Sequence, residues 1–215
     1  MKKKVVLRGP ILTRSGYGEQ TRFAYRALKS QSDKFDIFVV PTGWGKTGWI
    51  VEDTPEREEL DKNIISTSEH IKHCNTLGVA PFDISIQVTI PQEWEKIAAV
   101  NIGFTAGTET THISLPWVNK SNEVDRIIAV SEHTKSGFTN TVYTGKNEAG
   151  QEVHAQCTTP VDVVNFPAKI NMEPTPVALD LDTKFNFLSV VQWGPRKNLE
   201  NTILGFIDEF RDEED

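Results

Sequence analysis

Cysteine is nearly absent from this chain. Cys74 and Cys157 are the two in 215 residues. They are too few for the disulfide framework of a small secreted domain, and their scarcity fits a reducing cytoplasm. Long apolar runs are missing as well: no stretch approaches the roughly 20 residues that a bilayer-spanning helix needs. Lys2-Lys3-Lys4 precedes only a short apolar segment, which is not the pattern of a secretory leader. An excess of basic charge is also lacking. A net charge of −7 offers no field to neutralise a phosphate backbone, so no nucleic-acid partner is expected. There is no short-period repeat and no low-complexity tract. The remainder, 25% charged and 38% hydrophobic, is ordinary for a globular chain, with room for one domain and part of another.

The pattern that is present alternates. Apolar, partly β-branched runs at residues 5–7, 35–40, 83–90, 97–104, 126–131, 162–166 and 185–191 predict strands. Their continuity suits a parallel sheet covered on both faces. Helical spacing separates them at residues 20–31, 55–62, 116–123 and 132–139, while 64–78 is ambiguous between helix and loop. This predicts an α/β, doubly wound, mostly parallel Rossmann-like sheet. Residues 141–157, with Asn147-Glu148-Ala149-Gly150 between polar flanks, predict an inserted surface β-hairpin. Pro167, Pro174 and Pro176 mark an extended linker. The expected division is therefore 1–170, a linker at 171–182, and 183–215 as the first strand and helix of an incomplete second domain.

Five places carry candidate chemistry. Ser15-Gly16-Tyr17-Gly18 follows the first strand and opens a helix, so backbone N–H groups and the positive helix end point at an anion. It is not G-x-G-x-x-G, because Thr21 stands at the third glycine. The second strand ends Val39-Val40-Pro41 with no ribose-binding carboxylate, which disfavours a nicotinamide cofactor. Gly43-Trp44-Gly45-Lys46-Thr47 ends like a P-loop, but Val40 stands where its first glycine belongs. Two tryptophans around a glycine loop fit ligand contact better. His70, His73, Cys74, His154 and Cys157 have ligand chemistry, yet they lie in two distant pairs better explained as surface and packing residues, and no metal is expected. Phe104 to His112 sits where the carboxyl edge of the sheet is expected, and Glu109 and His112 there are tentative catalytic candidates. Arg196-Lys197 precede the last helix and could hold an anion.

In their order along the chain these features resemble a glycosyltransferase of the two-Rossmann-domain (GT-B) type, most like glycosyltransferase family 4. The Gly16/Gly18 turn follows the first strand. Val124-Asp125-Arg126-Ile127-Ile128-Ala129-Val130-Ser131-Glu132-His133-Thr134-Lys135 resembles the family's D-x-hydrophobic-A-V-S-x-x-x-K strand and helix. Val161-Asp162-Val163-Val164-Asn165-Phe166-Pro167 resembles the strand that leads to the interdomain linker. Phe187-Leu188-Ser189-Val190 with Arg196-Lys197-Asn198 resembles the opening of the second domain.

The resemblance implies transfer of a sugar from a nucleotide-sugar donor to a carbohydrate, lipid or protein acceptor, usually with retained configuration and without a metal or other cofactor. It implies a cytoplasmic enzyme with no transmembrane segment, for which peripheral membrane contact stays open. Gly16, Gly18, Arg196 and Lys197 would bind the donor diphosphate, and Glu109 and His112 would contact acceptor or sugar. Two departures stand out. Gln192 occupies a place where the family often has arginine, and the family's pair of glutamates eight apart, which holds the donor sugar, is expected further along than Asp215. The alternative is a non-catalytic carbohydrate- or nucleotide-binding module of the same fold.

Overall fold

A computed structural model describes residues 2–146, 150–168, 173, 178–183, 185–191 and 193–211. The chain divides into two units, Met1–Ala168 and Lys169–Asp215. Of the expected linker, residues 171, 172 and 174–177 lie outside the described residues, as do 147–149 of the hairpin turn, Gln192, and 212–215 of the acidic end.

Unit 1 is α/β. Its elements are β1 (Lys3–Gly9), α1 (Gly16–Lys29), β2 (Phe35–Pro41), α2 (Pro55–Leu77), β3 (Ile84–Val88), β4 (Val100–Thr105), α3 (Leu115–Ser121), β5 (Arg126–Ala129), α4 (Glu132–Asn140), β6 (Val142–Lys146), β7 (Glu152–Gln156) and β8 (Val161–Val163). Six strands form one sheet in the order β2-β1-β3-β4-β5-β8, each neighbouring pair parallel. β6 and β7 form the predicted antiparallel hairpin, with mostly exposed strands.

The two faces of the sheet bury different sets. On one, Val5, Leu7 and Val88 meet Tyr25 and Leu28 of α1, with Leu60 of α2 beside them. On the other, Trp94, Ile113, Val118, Ile127, Ala129, Phe138 and Val161 form a second cluster under α3 and α4. On the α1 side, Phe104, Ile128 and Val130 remain partly exposed and Val164 is 51% exposed. That side is closed over β1, partly exposed at Ile84 and Ile86 of β3, and open over β4, β5 and β8.

The ambiguous segment 64–78 is helix. It continues α2, which starts behind a Thr54 cap and ends at Gly78 in the left-handed region. Its apolar signal is weak because much of its anchorage is polar. Asn63 Nδ2 donates to the Ile37 carbonyl at 3.0 Å, and the Val39 N–H donates to Thr67 Oγ1 at 2.9 Å. α2 thus satisfies the outer edge of β2, a row of backbone groups that would otherwise be unpaired. Thr67→Val strips the buried Val39 N–H of its partner. The expected loss is about 1–3 kcal/mol of stability, read as a lower urea midpoint with unchanged slope.

Several strand ends are shorter than expected. Residues 97–99 are not strand, because the N–H groups of Ile97 and Ala98 both donate to the Asn101 side chain, at 3.0 and 3.1 Å. β8 ends at Val163 rather than at residue 166.

Among its described residues unit 2, by itself, holds one 3₁₀ turn (Pro195–Lys197) and α5 (Leu199–Phe210). The strand expected at 185–191 does not form; the described residues there are irregular. A lone strand has no neighbour for its ladder, and the segment is instead tied to α5 by rings. Phe187 lies 5.1 Å from Phe206 and 5.5 Å from Phe210 between centroids.

Candidate functional site

Strand order reverses between β1 and β3: from β1 the chain moves outward to β2, and from β3 it moves the other way to β8. Ligands of open α/β sheets bind outside the carboxyl ends of the strands at such a switch point. The segment after β1 enters that place. Thr13 Oγ1 donates to the Pro10 carbonyl at 2.9 Å and lies 2.8 Å from Ser15 Oγ. Ser15 caps α1, accepting from the Gly18 N–H at 2.9 Å.

Gly18 therefore serves differently from the expected phosphate donor, because its amide is bonded to Ser15. Its requirement is steric. A Cβ there would lie 2.2 Å from the Thr13 carbonyl oxygen and 2.9 Å from that of Pro10. Gly16 has open space around it. Among the described residues, no bond engages the Gly16 or Tyr17 amide. These first-turn donors, at the positive end of a fourteen-residue helix, are the ones left for an anion.

Arg22 holds the segment from below. Its side chain is 9% exposed, and Nη1 donates to the carbonyls of Ile11 (2.6 Å) and Thr13 (3.0 Å). Its Nε donates to Glu19 at 2.9 Å. One buried guanidinium satisfies two carbonyls of the turn after β1.

Tyr17 reaches from the start of α1 past β3 to the end of β4. Its hydroxyl lies 2.9 Å from Thr105 Oγ1 and accepts the Ala106 N–H at 3.1 Å. The Trp44 ring stacks on it, with centroids 4.2 Å apart and 27° between planes. The 43–47 loop therefore contributes an aromatic ring beside the start of α1. It does not open a helix; Arg14 N–H bonds the Gly48 carbonyl, and Ile50 N–H that of Leu12, each at 2.8 Å. Gly107, at φ 76°, turns the chain after β4 where Thr134 leaves no room for a side chain, and Thr134 Oγ1 donates to the Ala106 carbonyl at 2.9 Å.

Burial holds the Tyr17 phenol above its ordinary value of 10.0, against the bonds from Thr105 and Ala106 that lower it; the charge of Glu93 adds to the rise. Burial, then Glu59, does the same for Tyr25. Both rings stay protonated in the folded chain at a pH where the unfolded chain loses these protons. The folded state then binds more protons, so stability falls as pH rises from about 10. The melting midpoint is expected to drop above that pH, and less steeply in Tyr17→Phe; equal slopes would contradict the assignment.

Glu109 and His112 lie in the loop after β4. His112 lines an open pocket of about 370 Å³ with Thr108, Thr110, Ser114, Trp117 and Tyr143, and its Nδ1 is 3.0 Å from Thr111 Oγ1. Glu109 is exposed and is not part of that lining. Arg196 and Lys197 belong to unit 2. They sit exposed in the 3₁₀ turn, and Asn198, at φ 51°, redirects the chain between that turn and α5.

His70 and Cys74 are packing residues: His70 stacks on Phe38 with centroids 4.4 Å apart and meets the Pro81 carbonyl at 2.9 Å. Among the described residues no three potential ligands cluster, and no helix is long and apolar enough to cross a membrane.

No protein-family model, no curated protein and no solved structure matches the chain. Any functional assignment therefore rests on the site itself. Sequence reasoning found the Gly16–Gly18 turn and the tryptophan loop but missed Arg22, Thr105 and the Tyr17 side chain. An aromatic inside a glycine turn was the available signal for Tyr17. Nothing local announces a partner 88 positions away.

Proposed function

We propose that the chain belongs to a glycosyltransferase of the GT-B type, transferring a sugar from a nucleotide-sugar to an acceptor with retained configuration and without a metal. The observation that carries this is the start of α1 at the β1/β3 switch point. Two helix-end amides, of Gly16 and Tyr17, stand beside the stacked Tyr17–Trp44 pair. The amides suit a diphosphate, and an aromatic face suits a sugar or base ring. In unit 2, Arg196 and Lys197 are the cations of a 3₁₀ turn, a charge suited to an anionic group. His112, with the hydroxyls and rings around it, would meet a hydroxyl-rich acceptor. The enzyme would act in the cytoplasm.

The test is turnover and binding of UDP-, GDP- and ADP-linked hexoses by the full chain. Trp44→Ala is expected to weaken donor binding by about 1–3 kcal/mol, by analogy with base–aromatic stacking, and Lys197→Ala to lower turnover with the fold retained. Absence of binding by every donor would end this reading.

The second reading is a non-catalytic binding module of the same fold, favoured by the place of Glu109 outside the pocket that His112 lines. Donor binding with no transfer or hydrolysis would support that module.

A further inference from the structure

Beside α1, on the open side of the sheet, runs an apolar trough. One stretch of about 300 Å³ is lined by Phe23, Ala24, Ala27, Phe104, Val130 and Val164, and continues past Phe166. A second, of about 240 Å³, extends it along Ala24, Ala27, Leu28, Phe104 and Ile128. The helix supplies positions 20, 24, 27 and 28, one face at helical spacing. Gln20 also lines the trough. It is 2% exposed, and neither its Nε2 nor its Oε1 has a hydrogen-bond partner. An amide buried among carbon atoms without a partner is costly unless something brings one.

We infer that the trough binds the hydrocarbon chain of an amphiphile whose single hydroxyl or amide group bonds the Gln20 side chain. The count of polar groups decides the class. A docked helix has its backbone groups bonded internally and would bury the Gln20 amide unpaired. An extended peptide brings an N–H and a C=O at every residue, and this lining offers two polar side chains, the buried Gln20 and the exposed Asn165. A hydrocarbon with one donor–acceptor head matches both the apolar walls and the one buried amide, that of Gln20. Occupancy of this trough does not depend on glycosyl transfer.

The experiment uses the full chain, decanol as probe and decane as its apolar counterpart, read by displacement of anilinonaphthalene sulfonate fluorescence. Decanol is expected to displace the dye saturably and to bind about three- to tenfold tighter than decane, the worth of one net hydrogen bond. Ala27→Trp fills the trough from an exposed position; it should weaken decanol by more than about tenfold with the melting midpoint unchanged. Gln20→Leu should abolish the preference for decanol over decane while chain binding persists. Absence of saturable displacement, indifference to Ala27→Trp, or an undiminished preference in Gln20→Leu would each overturn the proposal. So would displacement by an amphipathic helical peptide where decanol fails, which would make the trough a protein-docking groove.

Discussion

Gly18→Ala is expected to lower stability by about 3 kcal/mol, at the upper end for overpacking, and to abolish nucleotide-sugar binding. The added Cβ would sit 2.2 Å from the Thr13 carbonyl oxygen, with the Pro10 carbonyl 2.9 Å away. Both obstacles are backbone, so relief requires the whole turn after β1 to move. For a chain of this size that corresponds to a fall in melting midpoint of about 6–12 °C. Gly16→Ala is the internal comparison. It lies two residues away in the same turn and has nothing near its Cβ, so its stability should change by no more than about 0.5 kcal/mol. Equal effects at the two positions would mean that the turn is not packed as described.

The second large effect is at Arg22. Arg22→Leu keeps the apolar stem and removes the guanidinium that bonds the Ile11 and Thr13 carbonyls. Two acceptors are then buried without partners, at about 1–3 kcal/mol each. The expected total is about 3 kcal/mol, because the loop can relax. The Ser15–Gly18 turn should also exchange its amide hydrogens faster, since the stretch it hangs from has lost its anchor. Arg22→Lys carries the charge but cannot present a planar fork to two carbonyls, so it should recover only part of the loss. Full recovery by lysine would show that charge alone matters there.

These two residues illustrate how unevenly the fold and the site can be read from sequence. The parallel strands were legible because they are short apolar runs, most of them next to a helix, and the Gly16–Gly18 turn was legible because glycine after a strand is distinctive. The second half of α2 was not, since Asn63 and Thr67 anchor it to β2 through polar bonds that leave no apolar stripe. The run at 185–191 looked like a strand from its composition. Strand formation needs a partner, however, and Phe187 packs on α5 instead. At the site, Gly18 was legible as important but for the wrong reason. Its amide belongs to Ser15, and its lack of a side chain is what the turn uses. The Tyr17–Thr105 bond and the Tyr17–Trp44 stack join segments far apart in sequence, and no local pattern encodes such a meeting.

The central claim, that the first turn of α1 receives the phosphates of a nucleotide-sugar, is tested most directly by amide hydrogen exchange of the full chain with and without UDP-, GDP- and ADP-linked hexoses. The account predicts that a donor which binds slows exchange at Gly16 and Tyr17, with weaker protection around Trp44. Binding of a donor that leaves the amides of Gly16 and Tyr17 exchanging at their original rates would contradict it.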